Sequence, residues 1–191
     1  MVTKATQETA TVVVVDDERD VAELYSAWLE TAHEVRSANG GAEALDLVDE
    51  SVDVVFLDRQ MPDMSGDEVL SVIDDRGLDC RVVMVTAVDP DFDIIEMPFD
   101  EYLTKPVGRD DLLEMVDAMR TRDTYDEHLQ EYFAMASKKA TLESEKNPVE
   151  LDGNEEYREV SERVESLREQ ADTTVNELDD FESAFGDFPS G

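Results

Sequence analysis

VDVVFLDRQMPDMSG, residues Val52 to Gly66, is the stretch around which the chain is organised. Val54, Val55, Phe56 and Leu57 form an unbroken apolar run, which reads as a short strand buried on both faces of a parallel sheet. Asp58 follows directly, at the carboxyl end of that strand. In open α/β sheets ligands bind in the crevice outside the carboxyl ends of the strands, so a carboxylate at this place belongs to a site and not to a core. Met61-Pro62 and Ser65-Gly66 are turn chemistry that holds the acid on a short ordered loop.

Working outward, Thr11 to Val15 is a second buried strand, and it runs straight into Asp16 and Asp17. Val21, Leu24, Tyr25, Trp28 and Leu29 then recur at helical spacing, predicting an amphipathic helix from about Asp20 to Thr31. Glu34 to Ala38 alternates as a strand, Gly40-Gly41 turns the chain, and Ala42 to Val48 is the next helix. Beyond Gly66 a third helix carries Val69, Leu70, Val72 and Ile73 and ends near Gly77. Arg81 to Val85 is a strand with Thr86 at its end. Tyr102 to Thr104 is a short strand followed by a Lys105-Pro106 turn, and Leu112, Leu113, Val116 and Met119 mark a closing helix. Between the last two strands Pro90 and Pro98 leave only Phe92, Ile94 and Ile95 as a brief helix, and the segment is expected to be mobile. Strands alternating with helices mean parallel pairing, hence a five-stranded, doubly wound α/β domain over residues 11–121 behind a polar, disordered stretch at 1–10.

After residue 121 the pattern is helical throughout. Tyr125, Leu129, Tyr132, Phe133, Ala136 and Ala140 share one face, with Lys138 and Lys139 near the end where the helix dipole favours cations. Asn147-Pro148 and Asp152-Gly153-Asn154 read as a loop. Tyr157, Val160, Val164, Leu167, Ala171, Thr174, Leu178, Phe181 and Phe185 then alternate steps of three and four, a heptad seam over about four heptads. Its partner is either the preceding helix, folded back as a hairpin, or the same helix of a second chain. The helical region is assigned to 122–186 and a tail to 187–191.

Charge bounds the partners. The 191 residues hold 50 acidic against 16 basic groups, a net charge of −34, and the excess is spread over both regions. Such a surface argues against direct binding to a nucleic-acid backbone and suits a salt-saturated cytoplasm, where screening suppresses self-repulsion. The single Cys80 can form no internal disulfide, MVTKATQETA has no apolar stretch suited to a signal peptide, and no run approaches a membrane span. A soluble cytoplasmic protein without membrane contact is expected.

Three carboxylates therefore meet at one sheet edge: Asp16, Asp17 and Asp58. Two like charges about 4 Å apart repel by about 4 kcal/mol at a surface-like dielectric, so three of them call for a cation. Few ligands, all oxygen, suit Mg²⁺. Lys105 brings an ammonium and Thr86 a hydroxyl, which completes a cradle for a phosphoryl group with Asp58 as nucleophile.

VVVVDDERD, FLDRQMPDMSG, VTA and EYLTKP, in this order and at these separations, resemble the receiver (CheY-like, flavodoxin-like) domain of two-component response regulators. The resemblance implies that Asp58 accepts a phosphoryl group from a sensor histidine kinase. It implies too that Asp16, Asp17, Asp58 and the backbone carbonyl of Gln60 surround Mg²⁺, that Thr86 and Lys105 grip the phosphate, and that Ala87 leaves it access. Tyr102 would be an aromatic switch moving with Thr86, and Lys105-Pro106 a cis peptide. No enzyme activity beyond self-phosphorylation and autodephosphorylation is implied. The chain departs from the family in its short, proline-broken stretch between Ala87 and Glu101, on the family's usual output face. The C-terminal helices resemble the HalX domain of haloarchaeal receiver proteins. They are either a protein-binding output module, with homodimerisation through these helices or the receiver face, or a hairpin that merely extends the receiver. Two rival readings stand beside this: a receiver scaffold that never turns over, and an aspartyl-nucleophile phosphatase, which needs a second acid where Gln60 stands.

Overall fold

A computed structural model describes residues 9–125 and 127–175, the side chains of 171–175 excepted. The apolar runs are strands: β1 (Thr11–Val15), β2 (Glu34–Ala38), β3 (Val54–Leu57), β4 (Arg81–Thr86) and β5 (Glu101–Thr104). They form one parallel sheet in the order β2-β1-β3-β4-β5, with Val15 beside both Ala38 and Leu57, and Thr86 beside Thr104. This register brings the carboxyl ends of β1, β3, β4 and β5 to one edge. The order reverses between β1 and β3, the switch point at which sheets of this kind bind ligands.

Side-chain alternation splits the core in two. Val12, Val14, Val54, Phe56, Val83 and Val85 face α1 (Arg19–Leu29) and α4 (Arg109–Asp123), where Leu29, Leu112 and Val116 are buried with them. Val13, Val15, Val55, Leu57, Val82 and Met84 face α2 (Gly41–Leu47) and α3 (Gly66–Asp75). The connection from β4 to β5 supplies only a five-residue 3-10 helix, Phe92–Glu96. It is not the loose segment its prolines suggested, because Ile94, Ile95 and Phe99 are buried against the sheet.

That side of the sheet is completed from the C-terminal region. α5 (Glu127–Glu145), α6 (Pro148–Gly153) and α7 (Glu155–Val175) send Leu142, Leu151, Val160 and Val164 into the core that holds Ile94, Phe99 and Tyr102. α5 packs on β5 and the 3-10 helix, and α7 lies along α5 and reaches the 3-10 helix too. Glu131 meets Arg163 and Glu143 meets Tyr157, so α5 and α7 run antiparallel. The seam residues Val160, Val164 and Leu167 are buried and the preceding helix is their partner, which makes the hairpin intramolecular. Leu178, Phe181 and Phe185 of the proposed seam, the tail and residues 1–8 lie outside the described residues.

Three further expectations are corrected. Residues 147–154 are not a plain loop: the Asn147 side chain accepts from the Val149 and Glu150 amides, Glu150 closes the capping box and Pro148 starts the helix, so α6 forms. Ala10, assigned to a disordered terminus, is fully buried, and its amide donates to His33 Nδ1. Lys138 is not an exposed dipole cation. It is 3% exposed, its Nζ donating to the carbonyls of Ile95 (3.1 Å) and Met97 (2.5 Å) and lying 5.0 Å from the centre of the Phe99 ring.

Burial lowers the Lys138 pKa to about 8, only partly opposed by Asp100. Below that pH the folded chain carries a desolvated ammonium. From about pH 8 up to the ordinary lysine value of 10.5 the unfolded chain binds a proton that the folded chain has lost, so stability rises with pH across this window. The expected rise is up to about 3 kcal/mol, and Lys138→Met removes it. Denaturant midpoints of both proteins between about pH 7 and pH 10.5 read the difference, and an equal rise in the variant would assign the effect to other groups.

Candidate functional site

The site is built from strand ends. Asp16 follows β1, Asp58 follows β3, Thr86 ends β4 and Lys105 follows β5. Lys105 Nζ donates to Asp16 Oδ2 at 2.7 Å and to Asp58 Oδ2 at 2.9 Å, bridging the two buried acids. Asp16 Oδ1 accepts from the Glu18 amide at 2.9 Å, and Asp58 Oδ1 from the Gln60 amide at 3.2 Å. Asp17 is half-buried beside them, and one oxygen from each of the three acids lies within 4.8 Å of the others.

Why the loop after β3 holds Asp58 is visible at Gly66. A Cβ there would lie 2.2 Å from the Asp58 carbonyl oxygen, so only glycine lets the start of α3 come this close, and the Gly66 amide donates to the Arg59 carbonyl at 2.9 Å. Ser65 caps α3, its side chain accepting from the Glu68 amide while Glu68 reaches back to the Ser65 amide. Loop and helix thus fix each other.

The electrostatics leave a deficit of positive charge. Burial raises the Asp16 pKa above the usual carboxylate range, against the hydrogen bonds from Lys105 and the Glu18 amide. Burial also disfavours the Lys105 charge, but its hydrogen bonds to Asp16 and Asp58 outweigh this and hold its pKa above that of an ordinary lysine. Three carboxylates against one ammonium fall two charges short, and the donors are oxygens only. A hard divalent ion such as Mg²⁺ fits that set, with Asp16, Asp17 and Asp58 as its carboxylate ligands.

Thr86 is fully buried, and its Oγ1 accepts from the Val88 amide at 3.3 Å. The Tyr102 ring is buried and its hydroxyl donates to the Val88 carbonyl at 2.7 Å. Both therefore hold the loop that leaves β4. Burial raises the Tyr102 pKa. The Lys105-Pro106 bond is cis. Asp16, Asp17, Asp58 and Lys105 thus meet at this edge, and Thr86 and Tyr102 meet at Val88.

Arg59 was missed. Its guanidinium makes a bidentate pair with Asp67 at the start of α3, with Nε 3.0 Å from Oδ1 and Nη2 3.1 Å from Oδ2, and its Nη2 also bonds Asp93 of the 3-10 helix. The available signal was scarcity: in a chain with 16 basic residues, a cation directly after the central acid asks for a partner.

Comparison with known proteins agrees in two segments. Residues 12–117 match the response regulator receiver domain, and residues 121–185 match the HalX domain. A candidate transcriptional regulator of Haloferax volcanii is 44% identical over 165 residues, 86% of this chain and 28% of that protein. The transcriptional regulatory protein CpxR of Escherichia coli K12 is 32% identical over 123 residues, 62% of this chain and 53% of its own length. The chain thus spans between about a quarter and about half of these curated relatives. Among solved structures, the BeF3-activated DrrB receiver domain has 27% identity and a TM-score of 0.55, covering 59% of this chain and 98% of its own. A response regulator receiver domain protein from Clostridium thermocellum has 30% identity and a TM-score of 0.55, covering 59% of this chain and 95% of its own. Among the described residues no helix is long and apolar enough to cross a membrane.

Proposed function

This chain belongs to the response regulator receiver family of two-component systems, with a HalX domain behind the receiver, and from that premise we propose that Asp58 accepts a phosphoryl group from the phosphohistidine of a sensor histidine kinase. The observation that carries the reading is Lys105 Nζ bridging Asp16 and Asp58 beside Asp17 at one sheet edge.

Asp58 is the nucleophile. One of its carboxylate oxygens forms the new O–P bond as the P–N bond to the kinase imidazole breaks, and the imidazole leaves with the electron pair. Asp16 and Asp17, with Asp58 and the Gln60 carbonyl, would hold Mg²⁺. When bound, this ion supplies positive charge against the oxygens of the transferring group. Lys105, already within 2.9 Å of Asp58, exchanges a carboxylate partner for a phosphoryl oxygen, and the Thr86 hydroxyl donates to another. Phosphorylation adds a charge of about −1.5 to −2 and three strong acceptors at this place. Thr86 and Tyr102 share the loop after β4, so a move of Thr86 toward the phosphoryl group draws Tyr102 with it. Output then passes through protein contacts of the C-terminal helices.

Incubation with Mg²⁺ and acetyl phosphate in concentrated KCl, followed by intact-mass measurement, tests the reading. The expected result is a single added phosphoryl group, lost slowly, and absent when EDTA removes the metal. An unchanged mass supports a scaffold that never turns over, and rapid consumption of acetyl phosphate without an adduct supports a phosphatase.

A further inference from the structure

We propose that Arg59 is a positioning residue that couples the state of Asp58 to the seating of the C-terminal helices, with the 3-10 helix Phe92–Glu96 as the link between them. The proposal rests on the phosphoryl-accepting reading above.

The 3-10 helix is gripped from two sides. From the C-terminal region come two lysines, Lys138 within α5 and Lys146 directly after its last residue. Lys146 Nζ lies 3.0 Å from Asp91 Oδ1 and 5.6 Å from the centre of the Phe92 ring, at the start of the segment. Lys138 Nζ holds the carbonyls of Ile95 and Met97 at its end. From the phosphorylation site comes Arg59, adjacent to Asp58 in sequence and bonded through Nη2 to Asp93 in the middle of the segment. In a chain with 50 acidic and 16 basic residues, three cations converge on these few residues.

A phosphoryl group on Asp58 would put its charge one residue from Arg59 and offer the guanidinium a bidentate partner that competes with Asp93 for its Nη2. Arg59 then leaves Asp93. The 3-10 helix, carrying Asp93 and Glu96 and capped by Asp91, loses the cation on its sheet-edge side and shifts against Lys138 and Lys146, loosening α5 on the receiver. The coupling is reciprocal, so the seating of α5 biases phosphoryl uptake by the same factor.

Backbone hydrogen exchange of α5 in the full chain, with Mg²⁺ alone and with Mg²⁺ plus acetyl phosphate, tests this, intact mass reporting the adduct in each sample. In adduct-bearing wild type α5 is expected to exchange about tenfold faster than without the adduct. Arg59→Gln and Asp93→Asn are expected to take up the adduct with that difference reduced to about twofold or less, and Arg59→Lys to restore part of it. A merely structural role for Arg59 would change exchange equally with and without the adduct. Adduct-bearing wild type without faster exchange in α5, or an undiminished difference in Arg59→Gln, overturns the coupling alone. Wild type that takes up no adduct overturns the phosphoryl-accepting reading and the coupling with it.

Discussion

Asp58→Asn is expected to take up no phosphoryl group from acetyl phosphate while remaining folded. The amide keeps the shape of the carboxylate and the acceptor oxygen for the Gln60 amide, but it has no anionic oxygen to attack phosphorus. Uptake should therefore fall to zero by intact mass. Stability should not fall with it, because the variant leaves Lys105 with Asp16, its 2.7 Å partner, and removes one of three mutually repelling carboxylates. A thermal midpoint at least equal to that of wild type, in the same KCl concentration, separates lost chemistry from lost structure. An adduct that persists in Asp58→Asn would move the acceptor to another acid and overturn the assignment. Asp58 is favoured because β3 lies between β1 and β4: it alone has the acids of the β1 end on one side and the Thr86 hydroxyl on the other.

The sheet and this site were legible because both are written locally. Val12 to Val15 and Val54 to Leu57 are buried on both faces, so they appear as continuous apolar runs, and parallel pairing places whatever follows each run at one edge. What was not legible is which element covers which. Periodicity marks a buried face on α5 and α7 but does not say what buries it, and Leu142 reaches the core around Ile94 and Phe99 across a long stretch of chain. Lys138 shows the same limit: its acceptor on Met97 is 41 residues away, and a lysine near a helix end reads as a dipole partner until that contact is known. α6 is a different case. Asn147, Pro148 and Glu150 spell a cap, a first-turn proline and a capping box, so the signal is local, but Asn-Pro serves equally as loop punctuation.

Leu142→Ala is expected to cost about 3 to 5 kcal/mol, at the upper end for such truncations, and to be felt throughout the chain. Leu142 is 0% exposed and belongs to the buried cluster that also holds Tyr102 of the sheet, Phe99 and Ile94, and Val160 and Val164 of α7. A cavity bounded by a sheet and two helices collapses poorly, so the transfer and cavity contributions should both be lost. Val149→Ala, at a residue 81% exposed, is the matched control and should change stability by no more than about 0.5 kcal/mol. The single tryptophan decides whether the two segments act as one. Trp28 sits on α1, against the opposite face of the sheet and stacked on Tyr25, so its fluorescence reports a core that Leu142 does not touch. If α5 and α7 complete the receiver's own core, the Trp28 transition moves with the helical circular-dichroism transition, and by the same denaturant concentration. A Trp28 transition left in place while part of the helical signal melts early would mean that the C-terminal helices rest on a receiver able to stand without them.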